Sequence, residues 1–294
     1  MTHDAPIIPK AERRNHWMNH VAGHASMRPE QVAFRYRDVP TTWKQTHERS
    51  RAFAAGLGRR GVGFGDRVLM LVLNRTEVIE AVLGINTLGA MAVPVNIRLA
   101  PPEIAYIVDD ADGDVLIVDE PLIPLVGAVK QLTTRIKRVI VLGKAPDGME
   151  AFDDVVAEGS AGFEAPDVPE DTPALIMYTS GTTGRPKGAM LDHGNMVAQS
   201  ITCIRAMNVF REDDVAFMTA PLFHIAGWGS LAPNLMLGIR TVIHPLGGFD
   251  PGALLDAYEK EGRLGTMLFL VDESRHTNDR GETVRVGLRT SIYY

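Results

Sequence analysis

Apolar residues come along this chain in short unbroken runs, separated by longer stretches in which they recur every three or four positions. The runs are RVLMLVL (67–73), AMAVPVN (90–96), DVLIVD (114–119), RVIVLG (138–143), ALIMYTS (174–180), VAFMTA (215–220), RTVIHP (240–245) and TMLFLV (266–271). Most are continuous rather than alternating, which predicts strands covered on both faces. Helical patterns lie between them. TTWKQTHERSRAFAAGLGRRG opens with Thr42 and Gln45 at capping-box spacing and closes at Gly61. PPEIAYIVDDA starts on prolines, which a first helical turn tolerates. NMVAQSITCIRAM and PGALLDAYEKEG complete the set. Strands alternating with helices predict an α/β chain, with doubly wound sheets carrying helices on both faces. APDVPEDTP (165–173) reads as a linker, giving an N-terminal α/β half (1–164), a second α/β subdomain (165–271) and a polar tail (272–294).

Composition narrows the classes. With 294 residues, 45% hydrophobic and 22% charged, the chain is globular, with room for roughly two domains of about 150 residues or one large α/β domain. A net charge of −6 without a long basic run argues against a nucleic-acid surface. Partners are then small molecules or proteins. The single cysteine, Cys203, cannot close an internal disulfide, which fits a reducing compartment. The first twenty residues lack the apolar core of a signal peptide. The longest uncharged stretch, 81–97, is interrupted by Gly84, Asn86, Gly89, Pro94 and Asn96, so it reads as helix, turn and strand rather than a transmembrane segment. A cytoplasmic protein is expected, with its oligomeric state left open.

The densest candidate chemistry is MYTSGTTGRPKGAM (177–190), with hydroxyls at four of the five positions 179–183, glycines among them, and a lysine. Strand, Gly/Ser/Thr loop and following helix is an arrangement that grips phosphate: backbone N–H groups converge, hydroxyls donate, and a lysine neutralises charge. A plain surface turn is the alternative, because the same residues dominate loops. Lys187 is followed by Gly188 rather than Ser or Thr, so the motif is not the phosphate loop of nucleotide hydrolases.

The order YTSGTTGRPKG resembles the loop of the AMP-forming adenylate ligases, a family that includes acyl-CoA synthetases, firefly-type luciferases and the adenylation domains of peptide synthetases. LGAMAVPVNIRL and APLFHIAG resemble further segments of that family, and the likeness runs from about Arg28 to about Leu270. The resemblance implies that Thr179, Ser180, Gly181, Thr182, Thr183 and Gly184 wrap the β and γ phosphates of ATP while Lys187 adds positive charge. It places His224 at the acyl pocket, near the reacting carboxylate. ATP, Mg²⁺ and CoA are the implied cofactors, with no residue of this chain assigned to a metal, and the implied reaction activates a carboxylic (fatty) acid as an acyl-adenylate and then a CoA thioester.

Other groupings read more simply. His16, His20 and His24 repeat every four residues, a stripe expected to be solvated rather than metal-bound. Asn195 is a candidate cap for the helix that follows the loop. Gly227 and Gly229 beside Trp228 shape a pocket floor or serve packing. After TMLFLV the family likeness stops, and DESRHTNDRGETVRVGLRTSIYY (272–294) is polar with little periodicity, so the segment is expected to be poorly ordered, with too little apolar area to offset ordering entropy. The resemblance implies that the segments which in the family hold adenine, ribose, Mg²⁺ and CoA would lie beyond Leu270, and no counterpart of them is expected within 272–294. Two functional readings follow: an acyl-CoA synthetase, or a truncated, inactive remnant that at most binds nucleotide or a partner. A peptide-synthetase adenylation module is a weaker third.

Overall fold

The structure is a computed structural model that describes residues 14–159, 163–179, 185–207, 214–246, 268–277 and 283–293. Contacts divide the chain into two units, 1–246 and 247–294. In the first unit a seven-stranded sheet is built from β3 (Arg67–Leu71), β4 (Met91–Pro94), β5 (Val115–Asp119), β6 (Arg138–Leu142), β7 (Glu150–Ala151), β8 (Pro173–Thr179) and β9 (Lys187–Asp192), in the order β7-β6-β5-β3-β4-β8-β9. All neighbours are parallel except β8 and β9. A second sheet combines β1 (Val32–Tyr36), β2 (Val39–Thr42), β10 (Val215–Met218) and β11 (Arg240–Ile243), in the order β10-β11-β1-β2.

The unbroken apolar runs have a simple physical origin. Val68 and Met70 of β3 belong to one buried cluster while Leu69 and Leu71 belong to another. Ile117 is likewise in the first and Leu116 and Val118 in the second, and Ile140 and Val141 divide the same way. Each strand therefore supplies two cores with alternate residues, and neither face can be polar. Residues of α1 (Trp17–Met27), α2 (Trp43–Arg59), α3 (Thr76–Thr87), α6 (Phe152–Glu158) and α8 (Ile225–Leu237) fill the first core; those of α4 (Pro101–Ala111) and α5 (Ile123–Lys130) fill the second. Helices thus cover both faces of the sheet, as expected of a doubly wound α/β fold. The capping box predicted for α2 is present: Gln45 N donates to Thr42 Oγ1 at 3.2 Å and Thr42 N to Gln45 Oε1 at 2.9 Å.

Two expectations need correction. β8 and β9 complete the sheet that β3 to β6 begin, and β11 pairs with β1, so the boundary expected at residue 164 falls inside one unit. The 165–173 stretch is a connection tied down by charge, with Arg14 bonded to Asp167 at 2.9 Å and to Glu170 at 3.1 Å. Residues 272–294, expected to be poorly ordered, contribute most of an antiparallel pair, β12 (Leu268–Thr277) and β13 (Thr283–Tyr293), with Leu268 opposite Tyr293 and His276 opposite Arg285. Absent periodicity hid it, whereas the Thr, Val, Ile and Tyr content of β13 carries strand propensity without any pattern. PGALLDAYEKEG lies outside the described residues.

Candidate functional site

β8 delivers the Gly/Ser/Thr loop at the carboxyl end of the parallel sheet, where ligands of open α/β folds bind. Beyond the loop the chain does not enter a helix. Lys187 is the first residue of β9, and the antiparallel register sets Thr179 opposite Lys187 and Tyr178 opposite Gly188. The two ends of the motif are therefore the paired strands of a hairpin, and α7 (His193–Met207) begins only after β9 has run back along β8. A hydroxyl and an ammonium, both exposed, face each other across its neck. Ser180, Gly181, Thr182, Thr183 and Gly184 lie outside the described residues.

Two contacts anchor the hairpin to α4. The Tyr178 hydroxyl donates to Asp110 Oδ2 at 2.6 Å, and the Arg185 guanidinium lies 5.5 Å over the Tyr106 ring. Burial, followed by the Asp110 bond, raises the Tyr178 hydroxyl above the usual phenol range, so it stays a donor.

His224 stands on the connection between β10 and α8. It is the N-cap of α8, its Nδ1 accepting from Ala226 N at 3.1 Å. Because that bond requires an unprotonated Nδ1, a neutral ring carries its proton on Nε2, which is the donor offered to solvent by this exposed imidazole. Gly227 beside it is a packing glycine: a Cβ there would come within 2.4 Å of Pro221 O. Gly229 receives the Gln199 amide on its carbonyl at 3.0 Å, joining α8 to α7.

Asn74 is the residue that sequence reasoning missed. It follows β3 at the same carboxyl end of the sheet and is fully buried. Its Oδ1 accepts from Leu222 N at 2.9 Å, and its Nδ2 donates to Ala220 O at 2.9 Å and His244 O at 3.3 Å. Trp228 Nε1 adds a bond to Leu222 O at 2.6 Å. One amide thus fixes the segment leading to His224 against β3, which β4 alone separates from β8, a lateral step of roughly 10 Å at the usual strand spacing. The hairpin and the His224 segment consequently share one edge of the sheet. No hydrogen bond or ring contact joins them among the described residues. An Asn closing a buried strand run was the available signal.

The histidine stripe is not solvated. His16 is 3% and His24 6% exposed. His24 contacts the Trp43 ring and bonds Leu235 O, and His16 lies 5.1 Å from the ring of buried His193. Burial first, then the neighbouring His24 and His16, pushes His20 down to about 4. Ring packing rather than solvent absorbs His16 and His24, while His20 is half-buried. No group of three or more His, Cys, Asp or Glu side chains is placed to hold a metal among the described residues. Nor does Asn195 cap α7 alone: Asp192 Oδ1 accepts from Asn195 N at 2.6 Å and Asn195 Oδ1 from Asp192 N at 3.2 Å, a reciprocal cap in which Asp192 is the residue before the helix.

Residues 21–270 match the family described as AMP-binding enzyme. The long-chain-fatty-acid–CoA ligase of Thermus thermophilus is 32% identical over 253 residues, covering 83% of this chain and 46% of that protein. A feruloyl-CoA synthase of Amycolatopsis sp is 36% identical over 241 residues, covering 81% of this chain and 45% of that protein. The crystal structure of the anthranilate CoA ligase AuaEII in complex with anthranoyl-AMP is similar with a TM-score of 0.77 at 27% identity, over 84% of this chain and 48% of that one. The chain spans about half the length of the curated relatives it matches. Among the described residues no helix is long and apolar enough to cross a membrane.

Proposed function

The chain belongs to the AMP-binding enzyme family, and from that premise we propose that it holds ATP on the β8–β9 hairpin and activates a carboxylic acid, of the fatty-acid class, as an acyl-adenylate destined for CoA. One observation carries the reading. Thr179 and Lys187 are paired across the neck of a loop in which every residue from Ser180 to Gly184 is a hydroxyl residue or glycine. Such a loop presents hydroxyl and backbone donors to an anion, with a cation at its base.

In this reading Thr179, Ser180, Gly181, Thr182, Thr183 and Gly184 hold the β and γ phosphates. Lys187 neutralises the charge that builds on pyrophosphate as the carboxylate oxygen attacks the α-phosphorus. His224 donates from Nε2 to the carboxylate and orients it, and Asn74 positions the segment that carries His224. Mg²⁺ would arrive on the phosphates of ATP. CoA and adenine contacts are implied by the family alone.

The half-length match supports a second reading, in which this chain by itself holds nucleotide without turning it over. Alignment for attack is worth about 7–11 kcal/mol and requires both ends of ATP to be held. Exchange of labelled pyrophosphate into ATP separates the two, using the 294-residue chain, Mg²⁺ and a panel of short, medium, long and aromatic acids, followed by a thioester assay with CoA. Acid-dependent exchange supports activation. ATP binding by calorimetry without exchange selects the second reading, and absence of both ATP and pyrophosphate binding overturns both.

A further inference from the structure

A cavity of about 670 Å³ lies between α1, α2, α3 and residues 165–168. That volume is within the range of small-molecule sites, about 300–1,000 Å³. None of its lining residues belongs to β8, β9 or the segment leading to His224. Its walls are largely apolar, with Met18, Val21, Leu83 and Val168 among them. The polar groups are concentrated on α2 and at the start of α1. Arg51 and His47 stand four residues apart on α2 and so share a face. No Asp or Glu lines the cavity, and Arg51 is its one permanent cation.

Three details mark the cavity as a place for a ligand rather than a packing defect. Among the described residues Arg51 spends one of its five donors, on Phe163 O at 3.0 Å, and rests 5.5 Å over the Phe163 ring, which fixes the guanidinium while leaving donors over. His16, 3% exposed, lines the same space, and its buried Nδ1 has no hydrogen-bond partner among the described residues; a buried orphan of this kind calls for an explanation. Gly23 sits inside α1 on the cavity wall, and a Cβ added there would meet nothing within 4 Å. A glycine in a helix interior is unfavourable, and here its missing side chain keeps the space open.

We propose that this cavity is a second binding site, for a small amphiphile with an anionic head group, whose alkyl chain lies among Met18, Val21, Leu83 and Val168 and whose head meets Arg51 and His47. The site does not depend on the nucleotide reading. Burial and the adjacent Arg51 hold His47 down at about 4, and an anion seated beside it favours the imidazolium.

The test titrates decanoate into the complete chain at pH 7 by calorimetry, with decan-1-ol and decyltrimethylammonium as uncharged and cationic controls, and follows the His47 imidazole by NMR across pH. In a His224→Ala background, which weakens the carboxylate site of the proposed activity, one decanoate is expected per chain, with the His47 midpoint moving from about 4 toward the ordinary imidazole value of about 6.5. Gly23→Phe, which fills the cavity, and Arg51→Gln, which removes the cation, should each weaken binding about tenfold or more, the scale of one charge-assisted contact. A His47 midpoint unmoved at saturating decanoate overturns the proposal. So does undiminished binding in both variants, or equal binding of the cationic control. If a variant fails to fold, the His47 titration in the unaltered chain decides.

Discussion

Replacing Asn74 with alanine removes three hydrogen bonds that join β3 to both arms of the second sheet. The largest share of the cost falls on Leu222 N–H, which is buried and loses its acceptor; an unsatisfied buried donor costs about 1–3 kcal/mol. Ala220 O and His244 O are half-buried, and the bond to His244 is long at 3.3 Å. Water can reach both carbonyls, so about 0.5 kcal/mol each is the appropriate scale. The total is about 2–4 kcal/mol, a large fraction of an ordinary stability of about 5–15 kcal/mol. Asn74→Asp sharpens the test. It keeps an acceptor for Leu222 N–H but sets a second oxygen against two carbonyl oxygens, so it should be no more stable than Asn74→Ala. Equilibrium unfolding in urea, followed by circular dichroism, measures both. A loss below about 1 kcal/mol for alanine, or an aspartate variant as stable as the parent, refutes the claim that this amide staples the sheets.

Lys187→Ala should weaken ATP or pyrophosphate binding by about 1–3 kcal/mol, and calorimetry showing equal affinity removes Lys187 from the site. His224→Ala should leave that affinity nearly unchanged and weaken carboxylate binding; the reverse pattern would exchange the two roles. Gly23→Ala should stabilise the chain by about 0.5–1 kcal/mol, because a helix interior gains a methyl with nothing to strike, and a lowered melting temperature contradicts this. Acid should destabilise the fold. Burial, with His16 beside it, pushes His193 down to about 3, and His20 and His47 stand at about 4, against about 6.5 unfolded. Unfolding therefore takes up protons, and stability present above pH ~6.5 falls on acidification toward pH 4 by up to about 1.4 kcal/mol per pH unit per imidazole. Glu80, raised to about 7 by burial against the pull of Arg49, acts oppositely, losing stability as pH rises from 4.5 to 7, and Asp119, raised by burial, acts in the same sense; the three imidazoles, joined by His16, which burial also lowers, outweigh these two carboxyls. His193→Phe should flatten the acid limb of stability against pH, and an unchanged limb rejects the assignment.

Burial on two faces writes itself into sequence as unbroken apolar runs, so the central strands β3, β5, β6 and β8 were legible to within two residues. β9 was not. Lys187 to Met190 are exposed, so KGAM carries no burial pattern, and the strand exists through its pairing with β8. The same blindness turned a hairpin into an imagined loop and helix. Thr179 and Lys187 were singled out as candidates by their order in a dense motif, because an anion site at a loop needs several donors close in sequence. Asn74 escaped because its three partners lie 146 or more positions away. A staple of that kind leaves no local trace. The histidine stripe misled for a related reason: an i, i+4 repeat states which residues share a face, and only the packed rings of Trp43 and His193 reveal what that face meets.

The pairing of β1 with β11 also imposes a timetable. Phe34 is opposite Thr241, so about 200 residues must be synthesised before β1 acquires its parallel neighbour, roughly 10–40 s at cellular rates of elongation. Until then β1 has β2 alone, reached through a turn in which Arg37 takes φ of 55°, and an isolated two-stranded hairpin is marginal in water. Ala33 and Phe34, fully buried at the end, wait on the nascent chain with an open strand edge beside them. Loop closure across that span sets a slow, late step. The hazard on the ribosome is therefore concentrated near the amino terminus, where a chaperone that shields the β1–β2 edge would raise the yield of folded chain more than one acting on the central sheet.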